Sequence, residues 1–361
     1  MKKGFLTIIV VAIIGILLGM GIEAASKSGN SINNLLTAPT SKNHSNNNSI
    51  DNSMYGSSNG LETESNRVVS TNSNEDNSYV NTKNNSNNNS NNNNTNNNDS
   101  NSDDSFNVTL QNQAALSALA PQYLDEFQNI IIEANNISRN SSSDAQMYKN
   151  GQQIYNLWNN ELNKLYDNIE ENLTASEFNF LKYQELQWIS YRKNSVATIA
   201  NQNLGSMKAL DEGSAEIEMT KERCYYLFFY YLYDNNTSLD LSKLLDVKPT
   251  ANLKNFEEVG AIARQEFLNM GTNEQSVVNT YANVNDIWTK EINNVYRQVL
   301  GQFVNDNTNT EFVKREISWI NYKSNEINLA EGYYNTNAMK SIAKYKVSIA
   351  LTQARTIILL L

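Results

Sequence analysis

The chain has one histidine, one cysteine and three prolines, and each shortage excludes a class of chemistry or structure. The histidine is His44, inside an Asn/Ser-rich stretch. With no imidazole elsewhere, the rest of the chain cannot build a Ser–His or Cys–His nucleophile pair or a histidine-based zinc site. Catalysis would fall on carboxylates, Tyr, Lys and Arg, and no spacing singles out two carboxylates facing across a cleft, as glycan hydrolysis requires. Adjacent acids such as Asp211 with Glu212 or Glu257 with Glu258 do not face each other on a helix and read as solvated charge. The expectation is a protein that is not an enzyme and uses neither cofactor nor metal. Cys224 has no second cysteine to pair with, so folding relies on packing, and the thiol reads as a small core residue. Basic clusters are also missing. The formal charge is -10, so nucleic acid is not an expected partner, while a cationic protein is electrostatically favoured.

What is present begins with Met1-Lys2-Lys3 and an apolar run from Phe5 to Ile22. Its length is at the lower edge of a spanning helix and exceeds the usual core of a signal peptide. Lysines before it and none inside it place the N-terminus in the cytoplasm. Residues 1–25 are therefore read as a membrane anchor, with a cleaved signal peptide as the alternative because Gly19, Gly21, Ala24 and Ala25 are small. Either reading exports the rest of the chain, giving a single-pass membrane protein with its C-terminal part outside the cytoplasm, or a secreted one. Residues 26–104 are dominated by Asn and Ser, with little to bury, and read as a disordered spacer. As a flexible coil of about 80 residues it would reach about 50 Å.

Beyond the spacer the chain repeats itself. Trp158, Glu161, Leu162, Asn163, Leu165 and Tyr166 return as Trp288, Glu291, Ile292, Asn293, Val295 and Tyr296. Glu185, Trp188, Ile189, Tyr191 and Arg192 return as Glu316, Trp319, Ile320, Tyr322 and Lys323, and Thr220 with Arg223 as Thr352 with Arg355. Blocks in one order at nearly one spacing indicate duplication. Apolar residues step by three or four, as in Ile154, Leu157, Trp158, Leu162, Leu165 and Ile169, which is the helical period. Capping boxes are predicted at Thr174 with Glu177, Thr272 with Gln275, and Thr308 with Glu311. Breaks are predicted at Asn201 to Gly205, Asp234 to Ser238 and Lys248-Pro249. Pro121 falls near a helix start, where proline is tolerated. The predicted fold is all-α: two tandem small antiparallel helical bundles, residues 113–234 and 252–361, joined at about 234–252.

These blocks resemble the N-terminal domain family of the lysozyme inhibitor LprI, exported bacterial helical domains. The resemblance rests on Leu162-Asn163 with Tyr166, Trp188-Ile189 with Tyr191-Arg192, Gly205-Ser206, and Thr220 with Arg223. In the second copy Ile292-Asn293 with Tyr296, Trp319-Ile320 with Tyr322, and Thr352 with Arg355 carry it. Family members commonly hold two cysteines where this chain has Val196 and Ala215, then Ile327 and Val347, so apolar contacts replace the bridge that the resemblance implies. It also implies lysozyme inhibition.

The candidate binding residues are those of the repeated blocks: Glu161, Asn163, Tyr166, Glu185, Trp188, Tyr191, Arg192, Thr220 and Arg223, then Glu291, Asn293, Tyr296, Glu316, Trp319, Tyr322, Lys323, Thr352 and Arg355. The four tryptophans sit at core spacing and read first as packing, and only then as a partner platform. Glu185, Trp188 and Arg192 share one helix face, and Glu161 or Glu291 is expected to complete an ion network with Arg223 or Arg355. Exposed loops for capping an enzyme cleft are sought at Asn201 to Ser206 and Glu331 to Asn337. The aromatic run Tyr225 to Tyr233 is too short to span a membrane and reads as a helix buried on much of its circumference, or as a docking surface where part of it stays exposed. The functional expectation is a membrane-anchored binding module of the cell envelope, taking a lysozyme or a wall component. A structural spacer or adaptor is the alternative, and a carboxylate-dependent glycan hydrolase comes third.

Overall fold

The computed structural model describes residues 110–139, 141–200, 206–235, 237–245, 251–302 and 306–361. The apolar run Phe5 to Ile22, the Asn/Ser spacer, and the breaks predicted at 201–205 and 248–249 lie outside the described residues. Among the described residues there is no strand, and no helix is long and apolar enough to cross a membrane.

The first half holds α1 (Gln113–Ala118), α2 (Ala120–Ser138), α3 (Asp144–Glu170), α4 (Ala175–Ala200) and α5 (Ser206–Leu227), with a π-helical turn at Phe228–Leu232 and a 3-10 turn at Leu241–Leu244. The second half holds α6 (Ala251–Leu268), α7 (Glu274–Gln302), α8 (Asp306–Tyr333) and α9 (Asn337–Leu360). Helix starts follow local chemistry. Thr174 and Glu177 form the predicted capping box: Glu177 N–H donates to Thr174 Oγ1 at 3.3 Å, and Thr174 N–H donates to Glu177 Oε2 at 2.8 Å. Ser143 and Thr336 accept from Gln146 and Met339 in the same way. Pro121 stands in the first turn of α2, as expected.

Two predicted boxes shift. At α7 the cap is Asn273, whose Oδ1 accepts from Ser276 N–H at 2.8 Å. Asn and Thr are both competent caps, and here Asn273 directly precedes the helix start at Glu274. Thr308 lies inside α8, which starts at Asp306, two residues before the predicted box.

Within the first half, α3 packs on α2 and α5, and α4 packs on α5; in the second, α7 packs on α6 and α9, and α8 on α9. The last helix of each half therefore lies at its centre. Burial follows the predicted stripe: Trp158 and Leu165 are enclosed, and Trp158 packs against Phe127 and Tyr225 with ring centroids 5.9 and 5.8 Å away. Trp288 meets Phe256 in the second half at 5.1 Å. Trp188 and Trp319 are also buried, so all four indoles are core packing. The run Tyr225 to Leu232 is buried throughout, and three of its hydroxyls are bonded inside. Tyr225 donates to Leu244 O at 3.1 Å, Tyr231 donates to Gln184 Oε1 at 3.0 Å, and the Gln184 amide donates to Tyr226. Cys224 is buried beside it.

The described helices fall in one compact unit, within which the two halves pack against each other. Helices α4 and α5 pack on α8 and α9. Tyr333 near the C-terminal end of α8 contacts Phe180 and Ser176 near the start of α4, while Ser195 further along α4 meets Ser318 at 3.2 Å. The two helices therefore run antiparallel. Where they cross, Tyr191 and Tyr322 stack with centroids 4.3 Å apart and planes 2° from parallel. These are aligned positions of the sequence repeat, and self-matching contact is the signature of a two-fold interface.

Candidate functional site

The charged residues of the repeated blocks converge on this contact between the halves. Arg223 of α5 is 1% exposed. Its Nε donates to Glu185 Oε2 at 3.0 Å, its Nη1 donates to the Tyr322 hydroxyl at 3.1 Å, and its guanidinium lies 4.8 Å from the Tyr226 ring centre. Arg355 of α9 is 3% exposed. Its Nε donates to Glu316 Oε1 at 3.1 Å, and its Nη1 crosses to α5, donating to Glu222 Oε2 at 3.0 Å and Glu218 Oε1 at 3.1 Å. Glu218 and Glu222 reach it together because they are one helical turn apart.

The expected partners were wrong in one respect: Glu161 and Glu291 do not pair with the arginines. Glu161 faces Glu126 of α2; burial first, and the second carboxyl next, raise its pKa to about 8. Lys164 also bonds Glu126. Glu291 is raised by burial, with Asn294 opposing. Other buried groups behave alike. Burial raises Glu222 to about 7 against the pull of Arg355, and raises Glu326 to about 8 against that of Arg223. Lys323 takes the place in the second half that Arg192 holds in the first. Arg192 lies over Trp188 at 4.7 Å and reaches the Tyr155 hydroxyl at 3.4 Å, whereas Lys323 donates to Thr352 Oγ1 at 2.6 Å and burial lowers it to about 7.

The other predicted positions are interior too. Tyr166, Thr220, Asn293, Tyr296 and Thr352 are buried, and Asn163 is half-buried. Thr220 and Thr352 bond backward to the carbonyls of Glu216 and Ser348. These residues hold helices together, with little surface left for a partner. Of the two loops sought for cleft capping, Asn201 to Gly205 lies outside the described residues; the other is the turn before α9, exposed at Asn335 to Asn337.

A cavity of about 90 Å³ opens between the halves, lined by Tyr191 and Arg355 among the predicted residues, and by Ser195, Glu218, Met219, Lys314, Arg315 and Ser318, which sequence reasoning did not single out. These last residues do not recur in the repeat. The four-residue step from Glu218 to Glu222 was the one available signal, and ordinary surface helices show the same step.

Residues 135–227 match the family model of lysozyme inhibitor LprI. No curated protein and no solved structure gives a match. The LprI region starts at the end of α2, contains α3 and α4, and stops where α5 stops. The matched stretch is a helical module similar to that family over residues 135–227, and the Glu185–Arg223 pair with Trp158 and Trp188 is its interior. The second block of the sequence repeat, at about 285–361, lies outside the match.

Proposed function

We propose that the protein is a non-catalytic binding module of the cell envelope that captures a cationic lysozyme-type protein. The observation that carries this reading is the LprI match over residues 135–227. The net charge of -10 agrees with it, since it favours encounter with a basic partner and makes that encounter salt-sensitive. In this reading residues 5–22 hold the chain in the membrane and the Asn/Ser segment carries the helical part outward. The test uses the full chain in detergent against a lysozyme panel, scored by clearing of wall suspensions and by co-elution. Stoichiometric, salt-sensitive loss of lysozyme activity is expected. Undiminished activity at large excess, with no co-elution, would reject it.

A second reading is favoured by the burial of nearly every repeated-block side chain: a structural spacer or adaptor of the envelope. Retention of wall material without any effect on lysozyme would select it.

A further inference from the structure

The cavity between α4–α5 and α8–α9 is amphipathic and unequal in charge. Its deep part is apolar, with Ala215 and Met219 at 3% and 5% exposure. Ser195 beside them is also buried, whereas Ile199, Ser318 and Arg315 are half-buried and Thr198 and Lys314 exposed, which puts the two cations on the solvent side. Arg355 also lines it, but is saturated by Glu316, Glu222 and Glu218. Arg315 is only loosely held, 3.6 Å from Glu218 with its side chain 40% exposed. Lys314 is exposed and has no partner among the described residues. Two cations thus stand at the mouth against the one carboxylate of Glu218, in a chain that is acidic overall.

Size narrows the ligand. An apolar cavity of about 150 Å³ holds benzene, so about 90 Å³ admits roughly four heavy atoms by the same scale. A phosphate would fit by volume but would leave charged oxygens against Ala215 and Met219, a desolvation that nothing there offsets. A basic side chain would meet two cations. A carboxylate on a methyl-bearing carbon satisfies both ends: oxygens to Arg315 and Lys314, with one hydroxyl of the bonded Ser195–Ser318 pair left to donate, and the methyl group against Met219.

We propose that this cavity binds a small carboxylate carried on a methyl-bearing carbon, as at the end of a peptide that terminates in alanine. The site uses both halves of the chain and is independent of lysozyme capture. Its physical role is recognition: a buried methyl and a charge-assisted pair at the mouth discriminate a free carboxylate end from an internal peptide unit.

The experiment titrates the full chain in detergent with N-acetyl-alanine of each hand, N-acetyl-alaninamide and lactate, read by calorimetry and ligand-observed NMR. Saturable binding of an N-acetyl-alanine, at least tenfold over its amide, is expected. Lactate binding as tightly would support the same carboxylate chemistry and assign the source to free short acids. The double variant Lys314→Gln, Arg315→Gln alters only side chains near the surface and should keep the wild-type melting temperature while weakening binding about tenfold or more. No saturable binding of any carboxylate, equal binding of the amide, or full affinity in the double variant would overturn the proposal.

Discussion

Arg355→Met is the sharpest test of how the two halves are joined. The guanidinium is 3% exposed and bonds Glu316 at 3.1 Å within its own half and Glu222 at 3.0 Å across the contact. Glu316 and Glu222 are themselves 3% and 6% exposed, so neither can turn to water when the cation is removed. Methionine fills most of the space, which keeps the cavity cost small and leaves the stranded carboxylates as the main effect. Breaking one side of a buried pair costs about 3–5 kcal/mol, a large share of a typical domain's stability. Urea unfolding of the full chain, followed by tryptophan fluorescence, should show the loss as a midpoint drop of about 2 M. The loss should be larger at pH 8 than at pH 5, because Glu222, raised to about 7, can take up a proton in acid and shed its charge. Adding Glu316→Leu and Glu222→Leu to the variant should restore much of the stability, since an apolar replacement of the whole cluster strands nothing. A loss under about 1 kcal/mol at pH 8 would refute the reasoning, for surface ion pairs give values of that size.

Stability should pass through a minimum near pH 7–8. Glu161, Glu222 and Glu326 hold protons up to about 8, 7 and 8 when folded against an ordinary 4.5. The folded state therefore binds more protons in that window, and stability falls as pH rises through it. Lys323 and Lys346 are lowered by burial to about 7 and 8 from 10.5. There the unfolded state binds more protons, so stability rises again toward pH 10. Melting temperatures measured from pH 5 to 10 check this, and a maximum near pH 7 would contradict it. Glu161→Gln should change stability at pH 7 by under about 1 kcal/mol, because the amide replaces a carboxyl that is already protonated, whereas Glu185→Gln strands Arg223 and should cost about 3 kcal/mol; equal losses in the same urea assay would reject the contrast. Tyr322→Phe keeps the stack on Tyr191 and loses the hydroxyl accepting from Arg223, about 1.5–3 kcal/mol, while Tyr322→Ala loses both and should cost about 3–5 kcal/mol. A phenylalanine variant as weak as the alanine one would show that the ring contributes nothing.

Several features were legible in the residues because their causes are local. The 3.6-residue period of the apolar residues placed α3, and the Thr174–Glu177 box marked the start of α4. The tryptophans read as core because indoles at core spacing bury more than they expose. Partner choice for the charges was not legible. Glu161 looked as suitable for Arg223 as Glu185 did, and only packing decided that Glu161 faces Glu126. The cross-contacts of Arg355 with Glu218 and Glu222 depend on a contact between segments more than a hundred residues apart, and no periodicity encodes it.

The sequence by itself determined the all-helical class, the repeated blocks, the core tryptophans and the resemblance to LprI, because each depends on spacing along one helix or on residue identity. Tertiary structure alone decided that the halves pack together, that Tyr191 and Tyr322 meet, and that a cavity with cations on its solvent side opens between them. The physical reason is that burial and charge pairing are properties of surfaces brought together from distant positions, and those surfaces exist only once the helices have packed.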